Sequence, residues 1–175
     1  MKKHNGMRPH DMVVLLKIAA KKDILWLMKD LSVGLGISAS EISESLNRSA
    51  IAGLIAKDKK RLMKLAILDF LEHGLRYVYP QMPGVVVRGV PTAHAAEPLA
   101  SEIVSEHPYV WPFGEGAVRG ESIEPLHPKV PEAYLKDAAF YEYMALCDAL
   151  RVGRAREKNM AIKELKKRLC KLIPS

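Results

Sequence analysis

The stretch Lys29-Asp30-Leu31-Ser32-Val33-Gly34-Leu35-Gly36-Ile37-Ser38-Ala39-Ser40-Glu41-Ile42-Ser43-Glu44-Ser45-Leu46-Asn47-Arg48 decides how this chain is read. Gly36 can take the left-handed conformation that ends a helix, and Ser32 is small where two crossing helices approach closely. Ile37 is placed to plug the angle between them. Ser38 is an N-cap, and Glu41 three residues later completes a capping box for a second helix. Ile42 and Leu46, spaced i and i+4, point together toward a core. Ala39, Ser40, Ser43, Glu44 and Asn47 remain on the outward side, with Arg48 at its edge. The expectation is a tight helical corner whose second helix carries a short polar face.

Such a face suits the major groove of DNA, where Ser and Asn meet base edges and Arg reaches guanine or phosphate. The pattern resembles helix-turn-helix regulators. With Gly53-Leu54-Ile55 following, it looks like the winged-helix, multiple-antibiotic-resistance-regulator (MarR) type of bacteria. The resemblance covers about residues 12 to 74, under half of the chain. It implies a homodimer that sets two recognition helices into successive major grooves of a double-stranded, pseudo-palindromic operator; the location expected for the chain is cytoplasmic. Ser40, Ser43, Glu44, Asn47 and Arg48 would face bases. In that type a β-hairpin wing follows the recognition helix, yet here Ala56 to Lys60 leaves almost no room for one. The expectation is a vestigial wing, or one replaced by Leu75 to Arg88, which would put Arg76 and Arg88 near a backbone. Lys57, Lys59, Lys60 and Arg61 are expected either to clamp phosphates without reading sequence or to form a solvated loop.

Working outward, the chain divides into three segments of different grammar, and the expected fold class is mainly α. Residues 8 to 74 read as helices. Pro9 suits a first turn, Met12, Leu15, Leu16 and Ala19 form a stripe, and Asp23 is a cap for a stretch carrying Leu27, Leu31 and Leu35. A further helix from Leu62 to Glu72 has an apolar stripe including Leu65, and Gly74 is its stop. Residues 75 to 136 hold nine of the eleven prolines, which argues for extended chain wrapped over the helices by Tyr109, Trp111 and Phe113. Leu75–Tyr79 and Val85–Arg88 are strand candidates for a short hairpin around Pro83-Gly84. Residues 137 to 173 return to a helical pair, with Phe140, Met144, Cys147 and Leu150 on one stripe and Ile162, Leu165, Leu169 and Leu172 on the other. Gly153 separates them, and the pair is a candidate for dimerisation.

Composition narrows the classes. The 175 residues are 49% hydrophobic and 27% charged, the balance of a folded globular chain, and the net charge of +7 favours a polyanionic partner. From Arg151 to Lys171 nine cations face only Glu157 and Glu164, an excess equal to that of the whole chain. That helix lines DNA, grips an acidic protein partner, or is a wet face. Cys147 and Cys170 form no CxxC pair and read as buried free thiols of a reducing compartment. No apolar run is long enough for a membrane span, and the basic start Met1–His4 leads into an amphipathic helix, not a signal peptide.

Signals for catalysis fail on inspection. Gly114-Glu115-Gly116-Ala117-Val118-Arg119-Gly120 has its third glycine one residue late for a dinucleotide fingerprint. His94, His107 and His127 beside Glu97, Glu106 and Glu124 are scattered, and satisfied surface histidines explain them better than a metal site. No catalytic residue, metal ligand or cofactor is assigned. The rival to a DNA-binding regulator is a protein-interaction module, such as the antitoxin half of a two-gene system, covering a partner with the middle segment and basic C-terminus.

Overall fold

The structure is a computed structural model that describes residues 6–170; the basic start, Lys171 and Leu172 lie outside the described residues. The first helix, α1 (Pro9–Ala20), begins with proline in its first turn, and Asp11 Oδ2 accepts the Arg8 backbone N–H at 2.8 Å. Every residue from Asp11 to Ile18 is buried. A single stripe underreads this helix, because Val13-Val14-Leu15-Leu16 is apolar on all sides and is therefore wrapped on all sides.

Two more helices follow, α2 (Met28–Leu35) and α3 (Ala39–Ile51). Asp23 does not cap α2. Leu27 holds the N-cap position, Asp30 Oδ2 accepts its N–H at 2.9 Å, and the Leu27 side chain is exposed while Leu31 and Leu35 are buried. The next helix, α4 (Lys64–His73), starts two residues later than its stripe suggests and buries Ile67, Leu68 and Leu71, leaving Leu65 in solvent. Gly74 ends it, but the chain turns straight into a short helix, α5 (Leu75–Val78). Leu75–Tyr79 is therefore not a strand, and the hairpin expected from Leu75 to Arg88 does not form.

The proline-rich segment is more ordered than a wrap. Strands β1 (Val86–Thr92), β2 (Tyr109–Pro112) and β3 (Val118–Ser122) make a small closed sheet. The C-terminal half of β1 pairs antiparallel with β2, its N-terminal half pairs antiparallel with β3, and β2 and β3 meet in parallel over two residues. Gly89 sits where β1 changes partner, and a Cβ there would lie 1.9 Å from the Trp111 carbonyl oxygen. The sequence pattern hid this sheet because its pairings join strands separated by turns and prolines.

The last two helices, α6 (Ala138–Val152) and α7 (Ala155–Leu169), pack as a pair on either side of Gly153. Phe140, Met144, Cys147 and Leu150 are all buried, as are Leu165 and Leu169. Asp148 of α6 anchors the sheet: its Oδ2 accepts from Trp111 Nε1 at 2.6 Å and Thr92 Oγ1 at 2.7 Å, and its Oδ1 from Arg151 Nη1 at 2.9 Å. Burial nonetheless pushes this carboxyl above its ordinary value. One contiguous apolar core joins α1, α3, α4, the sheet, α6 and α7. The fold is α-rich with a small three-stranded sheet. Among the described residues no helix is long and apolar enough to cross a membrane.

Candidate nucleic-acid interface

The corner between α2 and α3 is built as its residues dictate. Gly36 takes φ 63°, in the left-handed region, and Ser32 Oγ donates to the Ile37 carbonyl at 2.6 Å, closing the turn. Ile37 is buried beneath it. Ser38 Oγ accepts from Glu41 N–H at 3.2 Å, so the N-cap is present. The Glu41 carboxylate, expected to reach back to Ser38, lies instead 3.4 Å from His10 Nε2.

Along α3, Ile42, Ser45, Leu46 and Ser49 face the core. Ala39, Ser40 and Glu44 are exposed, and Ser43 and Asn47 are half-buried. The expected outward face therefore exists, with one exception. Arg48 is only 8% exposed and does not face bases. Its Nε donates to Asp11 Oδ2 at 2.9 Å and its Nη2 to Asp11 Oδ1 at 2.8 Å, while Nη2 also lies 3.1 Å from His10 Nε2. The hydrogen bond with Asp11 holds the Arg48 guanidinium above its ordinary pKa. A two-pronged bond to a wholly buried carboxylate outcompetes solvent exposure for this side chain. Sequence spacing placed Arg48 at the edge of the face, and its partner, far away in the chain, had no local signal.

After α3 the chain turns at Gly53, φ 80°, and Leu54 N–H bonds back to the Ser49 carbonyl at 2.9 Å. A small antiparallel hairpin then occupies residues 54–63. Ile55 pairs with Leu62, Ala56 N–H donates to Arg61 O at 2.8 Å, and Met63 N–H donates to Leu54 O at 3.0 Å. Its tip turns at Lys59, φ 59°, and Asp58 Oδ1 accepts the Lys60 N–H at 2.9 Å. There was room for a hairpin after all, because the arms are very short and α4 starts late. Lys57, Lys60 and Arg61 are exposed and Lys59 is half-buried, so all four expected phosphate-facing cations sit at or beside this tip.

Several of the other basic and histidine signals find intramolecular partners. Arg151 is drawn inward, donating to the Tyr79 and Glu124 carbonyls at 2.9 and 3.1 Å as well as to Asp148. Arg168 is held by Glu142 and Glu164, Lys167 by Glu164, and Lys166 lies 4.0 Å from Glu72. Arg76 lies over the Tyr77 ring and bonds its hydroxyl at 2.7 Å, and Arg88 is exposed on β1. His94 Nε2 lies 3.1 Å from the His107 carbonyl oxygen, whereas His127 packs edge-on to His10. Among the described residues no group of three or more His, Cys, Asp or Glu side chains is placed to hold a metal ion. Gly116, in the glycine-rich stretch, serves chain packing: a Cβ there would lie 2.2 Å from the Gly89 carbonyl oxygen.

No family model, curated protein or solved structure matches this chain.

Proposed function

We propose that the α2–α3 corner and the 54–63 hairpin act as a winged helix-turn-helix of the MarR-like kind, and that the protein is a transcriptional regulator binding double-stranded DNA as a homodimer in the cytoplasm. The observation that carries this reading is the succession of a capped helix, its polar side formed by exposed Ser40 and Glu44 and half-buried Ser43 and Asn47, and a hairpin with Lys57, Lys59, Lys60 and Arg61 at or beside its tip. Ser40, Ser43, Glu44 and Asn47 would read base edges, and the four cations would fix the register on phosphates. No catalytic step is assigned. The test is a titration of duplex fragments from around the protein's own gene at several salt concentrations. Binding that prefers one fragment and weakens with salt supports the reading; a folded sample with no affinity at low salt refutes it. In the complex, symmetry-related α3 helices should lie about 34 Å apart, one turn of DNA.

A second reading, the protein-interaction module, is favoured by the exposure of Tyr77, Val78, Met82, Val85 and Val86, a run of large apolar side chains on the middle segment. A stoichiometric protein complex, isolated from the native host and formed without DNA, would support that reading.

A further inference from the structure

The hairpin that carries the four cations also forms part of a large groove. This groove, about 1320 Å³, has Ile18 of α1, Leu46 of α3, Tyr143 of α6 and Leu169 of α7 among its buried lining residues. Residues 22–28, the hairpin and the first turn of α4, where Asp23 and Lys64 pair at 3.7 Å, line it further, as do Ala19, Cys170 and Arg168, the last held by Glu142 and Glu164. Three features set it apart from an ordinary surface cleft. Its rim holds Ile24, Leu25, Leu27 and Leu65, each more than two-thirds exposed, with Leu25 at 97%. The segment bearing the first three leaves α1 through two consecutive left-handed residues, Lys22 at φ 50° and Asp23 at φ 65°, a conformation that side chains disfavour and that clusters at ligand clamps. Lys22, Lys59, Lys60 and Arg61 line the same groove, and among the described residues none of these side chains is ion-paired.

We infer that this groove binds a long-chain carboxylate, its acyl chain against Ile24, Leu25, Leu27 and Leu65 and its head group among Lys59, Lys60 and Arg61. The floor is apolar, which suits a hydrocarbon and not nucleic acid. A second copy of the chain is a poor occupant, because a two-fold contact would bring the same unpaired cations face to face. A bilayer is a poor occupant too, since the surface is concave. The regulatory consequence rests on the proposed DNA-binding function: the head group engages the cations that would otherwise meet phosphate, so the ligand displaces DNA.

The test titrates laurate, below its micelle-forming range, into the full-length chain by calorimetry. The expected result is saturable binding of one laurate per chain. Leu25→Asp, at a fully solvent-exposed position, should weaken it at least about tenfold, as expected when one leucine side chain is no longer covered by the ligand. Lys59→Ala/Lys60→Ala should weaken laurate binding but not that of the uncharged dodecanol. In a parallel DNA titration, laurate should release DNA from the native chain and not from Leu25→Asp, which binds DNA normally. Absence of saturable laurate binding, or equal binding by Leu25→Asp, overturns the inference. So does binding confined to anionic phospholipid vesicles, laurate binding seen only after removal of residues 171–175, or loss of a dimer in Leu25→Asp without laurate binding. DNA binding without laurate binding removes the groove site alone. Laurate binding with no DNA binding upholds the site and removes the DNA-binding function.

Discussion

Arg48 grips both carboxylate oxygens of Asp11, at 2.9 and 2.8 Å, and so joins α3 to the first turn of α1 across 37 residues of chain. The same carboxylate caps α1 through the Arg8 N–H. The orientation of the polar face of α3 is thus set from behind by an ion pair that never reaches the surface. Removing either partner leaves a buried charge uncompensated. Arg48→Ala and Asp11→Ala are each expected to destabilise the fold by about 3–5 kcal/mol, a loss of roughly 10 °C in Tm at this chain length. Measured at low temperature, the folded fraction of Arg48→Ala keeps whatever sequence preference the native chain has. An unchanged thermal midpoint would contradict the structural role.

Base-facing and phosphate-facing residues separate by their response to salt. Asn47→Ala should narrow the affinity gap between preferred and unrelated duplexes by about 1–3 kcal/mol if its side chain meets a base edge. Replacing Lys57, Lys59, Lys60 or Arg61 by Ala should weaken binding to all duplexes and reduce the slope of log affinity against log salt by about 0.9 for each phosphate that is no longer neutralised. Binding isotherms at four salt concentrations distinguish the two classes. Equal slopes throughout would show that the hairpin does not touch the backbone.

Acid should loosen the packing of His127 against His10 of α1. His127 has a pKa lowered by burial first, then by His10 and Lys129, and its Nδ1 lies 3.1 Å from the Lys129 N–H as an acceptor. A histidine harder to protonate in the folded chain than in the unfolded one contributes fully above the ordinary value near 6.5. That contribution is lost as pH falls below it toward the lower folded value. The thermal midpoint should therefore drop between about pH 7 and 5, and less steeply in His127→Asn, which keeps an acceptor without the charge. Parallel curves for the two proteins would remove His127 as the cause.

Asp148 ties α6 to the sheet through Thr92 and Trp111, and it holds Arg151, which reaches the Tyr79 and Glu124 carbonyls. Asp148→Asn turns one acceptor into a donor facing Arg151 or the Trp111 and Thr92 donors. Chemical denaturation should show a loss of about 2–4 kcal/mol. Thr92→Val, which removes one donor and leaves the others, should cost about 1 kcal/mol. A smaller loss for Asp148→Asn than for Thr92→Val would show that the ion pair is expendable.

The legible parts of this fold are those written in neighbouring residues. Gly36, Ser38, Ile42 and Leu46 act over three or four positions, and the corner they specify is the corner that forms. The same holds for the buried stripe of α6, whose spacing is its own evidence. Leu65 marks the limit of local spacing: it falls on the helical stripe of α4, yet it is exposed on the rim of a groove because Ile67, Leu68 and Leu71 turn inward instead. The hairpin is hidden for a different reason. Its arms carry only a few backbone bonds, too short for alternation to be visible, and its turn uses lysine where glycine would have signalled it.

By itself the sequence determined an α-rich chain, the capped corner at Gly36 with a polar side on its second helix, and a concentration of cations just beyond it. Those follow from local hydrogen bonding, capping and apolar spacing, which act within a few residues. Only the tertiary structure decided that Arg48 turns inward to Asp11, that β1 to β3 close on one another beside Asp148, and that residues 22–28, the hairpin and α7 enclose an apolar groove. Each of these depends on groups far apart in the chain, whose meeting is set by how the whole core packs and not by the identity of any neighbour.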